Sequence, residues 1–553
     1  MFGLSLYDTT LRDGAQCEDL QLTTPDKIKI ALKLDEFGLD YIEGGWPGAN
    51  PVDTEFFRDI ANYSVRHARI AAFGSTHHAS FAAENDPTMH ALVNCGAPVV
   101  TIFGKSSEKH ARDALRLAPE RNLGIIRDSV AYLKSKVETV FFDAEHFFDG
   151  YAANPEYSLA ALRAAAEGGA DALVLCETNG GRLPSEVSAV VARVGELFPN
   201  VRIGIHAHND CELAVANSIA AVQAGATHIQ GTINGVGERC GNANLCSVMP
   251  ILELKLGKKC LPEGSLEHLS SLSAFMCEIG NMKPFSRQPF VGRSAFAHKG
   301  GVHVSAVNRD STLYEHIEPS LVGNGQRILI TELAGRSNIV SLAKRFGFHL
   351  DKDEPVVKGL FHELKSKASL GYDYASAEAS MELLLLRKLA RRGVREFFTL
   401  RQLRVIDTKN EGGDPVSEAT VMVEVEGAAE HTAATGMGPV NAIDNALRKA
   451  LVSFYPNVAE MQLKDFKVRV LTAKSAAQDH SFTDLDGNPT IEGANNDGGT
   501  ASVVRVLIES SDGRDSWITV GVSYDIIEAS WQALADSFTY KLYRDEFEMH
   551  AVE

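Results

Sequence analysis

The sequence predicts an α/β chain: a (β/α)8 TIM barrel, then a helical connector, then a C-terminal α+β domain of two repeated units. Three observations predict it. Short apolar runs alternate with helical patterns over the first part of the chain at intervals of about 30 residues, as parallel βαβ units do. Those runs number eight, the count of a closed barrel. From Glu396 onward, strand patterns leading to one amphipathic helix occur twice, about 84 residues apart.

The eight runs are LSLYDTT from Leu4, YIEGGWP from Tyr41, ARIAAFGS from Ala68, PVVTIFG from Pro98, TVFFDAE from Thr139, ALVLCETNG from Ala172, RIGIHAHND from Arg202 and HIQGTINGVGE from His228. Helical spacing fills the gaps, as in PDKIKIALKLDEFG from Pro25 and SLAALRAAAEGGA from Ser158. A doubly wound open sheet would usually have fewer strands and a Gly-rich phosphate loop after the first, and no such loop is seen here. The barrel is therefore expected over 1–256. Residues 257–394 read as helices broken by polar loops, for example LEHLSSLSAFMCEIGN and SAEASMELLLLRKLARRG. Over 395–553, FFTLRQLRVIDT and SEATVMVEVEG lead to the turn and helix TGMGPVNAIDNALRKAL. FKVRVLT, ASVVRVLIES and DSWITVGVS then lead to DIIEASWQALADSFTYKL. The Gly-, Asn- and Asp-rich stretch at 479–500 between them is expected to be a mobile loop.

Charge narrows the partners. Against 54 Lys and Arg stand 72 Asp and Glu, a net of -18. Such a surface repels nucleic acid and anionic lipid. No apolar run reaches the roughly 18 residues of a membrane span, and the start MFGLSLYDTTLRDG has no signal-peptide pattern. The eight Cys lie between Cys17 and Cys277 without a C-x-x-C pair. Reduced thiols and a cytoplasmic location are expected.

The strongest chemical signal is IHAHND, ending at Asp210. On a strand, His206 and His208 point to one face, while Val201, Ile203 and Ile205 point to the other. Two imidazoles at the C-terminal end of the seventh strand form half of a divalent-metal site, where barrel active sites lie. DTTLRDGAQ places Arg12 and Asp13 at the end of the first strand. A carboxylate there completes a His-His-Asp set, and the Arg can hold an anion.

DTTLRDGAQ, HAHND and GVGERCGNAN together resemble the DRE-TIM metallolyases, and within them the Claisen-condensing 2-isopropylmalate, homocitrate and citramalate synthases. The tandem C-terminal repeat resembles the regulatory domain of the isopropylmalate and citramalate synthases, which homocitrate synthases usually lack. The variants YIEGGWPGANP, FFDAEHFFDGYAANP and GERCGNANL look most like the citramalate-forming branch. The resemblance implies Asp13, His206 and His208 as metal ligands, with Asn242 contributing through its carbonyl or a water. The donor set suits Mg²⁺, Mn²⁺ or Zn²⁺ without choosing among them. It implies that Arg12 stabilises developing negative charge, that Glu43 orients Arg12, that Thr178 hydrogen-bonds the oxo-acid carboxylate, and that Glu145 is an acid near the substrate.

AHKGGVHVSAV resembles the segment that caps the family's active site. His303 is then the leading candidate base for acetyl-CoA, with His298 the runner-up and Tyr314 a partner near the thioester. In this family the cap comes from the neighbouring subunit, which implies a homodimer. The expected reaction joins acetyl-CoA to pyruvate and releases CoA. Trp46, Phe103, Phe141 and Phe147 are candidates for the pocket wall. In TGMGPVNA, Gly436 and Gly438 precede a helix N-terminus that can hold a carboxylate. The resemblance makes isoleucine the expected effector. The alternatives are condensation with 2-oxoisovalerate, as in 2-isopropylmalate synthase, and a catalytically dead amino-acid sensor. The intact Arg12, Asp13, His206 and His208 argue against the sensor.

Overall fold

The structure, a computed structural model, describes residues 2–298, 301–307, 309–328, 336–345, 349–374, 376–389, 395–409, 411–471 and 502–552. Contacts divide the chain into two compact units. One is Met1–Phe296 with His316–Gln326, and the other is Ala297–Glu315 with Arg327–Glu553. The stretch expected to be a mobile loop, 479–500, lies outside the described residues.

The first unit is a closed parallel barrel. Its strands are β1 (Ser5–Asp8), β2 (Tyr41–Gly45), β3 (Arg69–Ser75), β4 (Val99–Lys105), β5 (Thr139–Glu145), β6 (Ala172–Glu177), β7 (Arg202–Ala207) and β8 (His228–Gly231). Seven lie within the predicted runs, and β4 runs one residue past its own, to Lys105. The ring closes where β1 pairs with β8, Ser5 opposite His228 and Asp8 opposite Gly231. Side-chain alternation separates two cores. Outward residues such as Ile42, Ile102, Phe142, Ile203 and Ile205 join the large core under the helices. Tyr7, Ala71, Val99, Phe141 and Ala172 form a separate cluster inside the barrel.

The predicted first helix runs Thr24–Phe37. Thr23 and Asp26 close a capping box at its start, and Gly38 ends it with a left-handed φ of 98°. Past the eighth strand, Leu269, Leu272 and Met276 of helix Leu269–Ile279 join the same core. The barrel unit therefore extends through Phe296 and includes 257–296.

In the second unit, helices Pro355–Ser369 and Glu378–Leu389 precede two three-stranded antiparallel sheets. The first sheet is Thr399–Thr408, Val416–Val425 and Ala428–Gly436, followed by helix Pro439–Leu451. The second is Gln462–Val470, Val504–Ser511 and Ser516–Ser523, followed by helix Ile526–Val552. The repeat extends to single bonds. The Thr432 hydroxyl donates to Ala446 O at 2.7 Å, and 87 residues later Thr519 donates to Ala533 O at 2.7 Å. Strand Ala428–Gly436 is not expected from the sequence, because AAEHTAATG is mostly Ala and Gly, with Thr432 and Thr435 its only β-branched residues and no Val, Ile, Phe, Tyr or Trp. Among the described residues no helix is long and apolar enough to cross a membrane. All eight cysteines are free.

Candidate active site

The C-terminal ends of the barrel strands gather Asp13, His206 and His208, with one donor atom from each within 4.8 Å of the others. Asp13 follows β1, His206 is on β7, and His208 follows it. All three are buried. His206 Nε2 is 3.1 Å and His208 Nε2 4.0 Å from Asp13 Oδ2. Strand β7 ends at Ala207, and His208 is held instead by an antiparallel bridge to Asn242. That bridge brings GNAN beside the histidines.

Electrostatics suit a cation. Burial alone would raise the Asp13 carboxyl, but Arg12, His206 and His208 hold it well below the usual carboxylate range. Burial pushes His208 down to about 4, aided by His206, so its ring is neutral and can donate a lone pair. His206 Nδ1–H donates to Gln230 Oε1 at 2.8 Å, and Gln230 Nε2 donates to Asp143 Oδ1 at 3.0 Å. That chain turns Nε2 toward Asp13. Asn242 Oδ1, a buried acceptor beside these ligand atoms, has no hydrogen-bond partner among the described residues. Orphaned buried acceptors are costly and rare. A mixed nitrogen and oxygen set with an unused carbonyl fits a divalent cation.

Arg12 stands beside this cluster. Its Nε donates to Glu43 Oε1 at 2.6 Å. Tyr7 donates to Glu43 Oε2 at 2.7 Å and accepts from Thr101 Oγ1 at 2.7 Å. Glu43 is fully buried, so both its oxygens are committed within the barrel. Burial opposes the Arg12 charge, but Glu43 and Asp13 outweigh it and keep the guanidinium charged.

The other barrel residues form a second group. Thr178 follows β6, and its Oγ1 accepts from His146 N at 2.8 Å. Glu145, at the end of β5, is ion-paired with Lys105 at the end of β4. His146 has a left-handed φ of 58° and stacks its ring on His110 at 3.8 Å. Burial pushes His146 down to about 4, with His110 and Lys105 adding to the effect. Arg239 ties three loops together, bonding Asp210 through two nitrogens at 2.8 and 2.9 Å and Thr178 O at 2.9 Å.

Of the aromatic candidates, Trp46 and Phe103 lie together, 5.7 Å apart. Phe141 belongs to the inner cluster and Phe147 is fully buried in the outer core, so those two are packing residues. His298, His303 and Tyr314 belong to the second unit. There His303 is exposed, with its ring 4.4 Å from that of Tyr314. His298 Nε2 lies 2.9 Å from Glu315 Oε1. Gly436 ends its strand where a Cβ would come within 2.4 Å of Ala442 N. Gly438 caps the following helix without a side chain.

Sequence reasoning missed Tyr7, Thr101, Lys105, Asp143, His146 and Gln230. Register brings several of them in: His206 is opposite Gln230, and Lys105 opposite Glu145. Inward parity at strand ends was the available signal.

Three families match the chain in succession. HMGL-like covers residues 3–274, homocitrate synthase post-HMGL domain-like covers 290–371, and LeuA allosteric (dimerisation) domain covers 376–503. The (R)-citramalate synthase of Geobacter sulfurreducens is 50% identical over 544 residues, 98% of each chain. The (R)-citramalate synthase of Aquifex aeolicus is also 50% identical, again over 98% of each chain. A 2-isopropylmalate synthase of Methanocaldococcus jannaschii is more distant, 30% identical over 98% of this chain and 95% of its own. The barrel and these matches define an acyltransferase on an HMGL-like scaffold. Within that class, the chain belongs to the (R)-citramalate synthase family.

Proposed function

We propose that the chain condenses acetyl-CoA with pyruvate to give citramalate and CoA, with Asp13, His206 and His208 holding a divalent cation. The buried Asp-His-His cluster beside Arg12 carries this reading. Mg²⁺, Mn²⁺ and Zn²⁺ all suit the donor set, and Asn242 Oδ1 is the natural fourth protein donor. When bound, such a cation supplies Lewis-acid polarisation of the oxo-acid ketone.

The chain's own residues do the rest. Arg12, fixed by Glu43, presents its remaining N–H groups to the oxygen that gains charge. Thr178 uses an acceptor lone pair on His146 N–H, which leaves its own O–H to donate to the pyruvate carboxylate. Lys105 keeps Glu145 aimed at the barrel mouth. His303 takes the proton from the acetyl methyl, with Tyr314 beside it, and His298 is second choice because Glu315 already engages it. Water then cleaves the thioester. The site is read as completed in a homodimer, with isoleucine inhibiting through the C-terminal domain near Gly436 and Gly438, in the cytoplasm.

CoA release from acetyl-CoA tests this, with Mg²⁺ or Mn²⁺ present and pyruvate, 2-oxoisovalerate or 2-oxoglutarate as partner. Pyruvate is expected to give the highest kcat/KM. Preference for 2-oxoisovalerate would transfer the reading to leucine-type chemistry. Adding isoleucine and leucine separately tests the effector.

A further inference from the structure

Asp13 and Arg12 are neighbours of opposite charge, and a cation at this site needs the Asp13 oxygens. A guanidinium free to move beside a carboxylate closes to a hydrogen bond of about 2.7–2.9 Å. Arg12 Nη1 instead stops 3.8 Å from Asp13 Oδ1. Two contacts hold it there. Glu43 takes Nε at 2.6 Å, which fixes one edge of the guanidinium. The Phe73 ring takes its flat face, with Cζ 3.6 Å from the ring centroid. One edge bond leaves the plane free to swing about it, and the face contact removes that freedom.

The ring is itself braced. Phe73 stacks on Phe103 at 5.5 Å and 17°. Trp46 meets Phe73 and Phe103 edge-on at 6.0 and 5.7 Å. The Trp46 backbone amide donates to Asp53 Oδ2 at 2.9 Å, which anchors the chain that carries the indole, and Asp53 is ion-paired with the buried Lys27.

We propose that Phe73 is a positioning residue whose ring holds the Arg12 guanidinium off Asp13 and keeps that carboxylate available to the divalent cation. The inference rests on reading Asp13, His206 and His208 as the cation site. Without the ring, Arg12 swings onto Asp13 and competes with the cation for the same oxygens.

Calorimetric titration of metal-stripped protein with Mn²⁺ tests this. The panel is wild type, Phe73→Leu, Phe73→Tyr, Arg12→Met and Phe73→Leu with Arg12→Met. Phe73→Leu is expected to bind about 10-fold more weakly, as for the loss of a residue that supports a metal ligand. Phe73→Tyr keeps the aromatic face and stays near wild type. In the Arg12→Met background, Phe73→Leu is expected to cost nothing, because no guanidinium remains to collapse. A ring that only fills space would cost the same in both backgrounds, and that result overturns the inference. So does wild-type affinity in Phe73→Leu. Phe73→Met, measured in the same two backgrounds, replaces Phe73→Leu if the latter does not fold. Absence of Mn²⁺ binding by wild type sinks the cation site, whereas wild-type binding with no Phe73 effect sinks only this inference.

Discussion

At the scale of single residues, the site depends on how each ligand is aimed. His206 needs its Nδ1–H occupied so that Nε2 faces Asp13, and Gln230 does this while anchored to Asp143. Gln230→Leu should therefore leave the fold intact and cost roughly 10 to 100-fold in metal affinity. Wild-type affinity in that variant would mean that His206 is aimed by packing alone. His206→Ala removes the ligand itself, and a metal titration should then show no specific site while circular dichroism stays unchanged. The clustering of Asp13, His206 and His208 was legible in the sequence because same-face spacing and a strand end are local properties. Gln230, Asp143 and Tyr7 were not, because they meet their partners across 24 or more residues of chain, through a register that exists only once the barrel has closed.

At the scale of elements, the C-terminal repeat shows what periodicity reveals and hides. Its helices and most strands follow apolar alternation, and Val421, Val423, Val506 and Ile508 fill its core. Strand Ala428–Gly436 shows no such alternation. It is held by pairing along Val416–Val425 and by the Thr432 bond to the helix, neither of which has a local signal. The second repeat carries a charge device of its own. Asp512 accepts from the Arg514 and Asp515 amides at 3.0 and 2.9 Å and from Lys541 at 2.8 Å. Burial would raise its carboxyl, yet Lys541 and the two amides hold it well below the usual range. A carboxyl lowered in the folded state contributes stability above its unfolded value, near about 3.9, and loses it as pH falls through the folded value. Asp512→Asn should thus cost about 1–2 kcal/mol near neutral pH and progressively less in acid. Urea unfolding at about pH 7 and about pH 3 measures this, and an equal penalty at both would remove the carboxylate from the account.

At the scale of the whole molecule, the eightfold alternation made the barrel legible, but the seam between the two units was not. Helix Leu269–Ile279 reads as one more amphipathic segment, and only its partners assign it to the barrel. Net charge argues against polyanions, and on the proposed reading the anionic substrates would instead meet a local cation, Arg12, within this acidic chain. Binding that favours the folded state raises its stability by mass action, by about 2.7 kcal/mol at a hundred times Kd. Saturating Mn²⁺ should accordingly raise Tm in wild type and not in His206→Ala. An equal rise in both would place the ion elsewhere.

Closure of β1 against β8 brings together the proposed metal ligands from opposite ends of the barrel's sequence. During synthesis Asp13 leaves the ribosome first and must wait for His206, His208 and finally Asn242. At about 5–20 residues per second that wait is roughly 10–45 s. Metal cannot guide the early half-barrels of the nascent chain. It can only reward the last step, when the final strand finds the first, so a shortage of metal should show as slow ring closure rather than as a failure to begin folding.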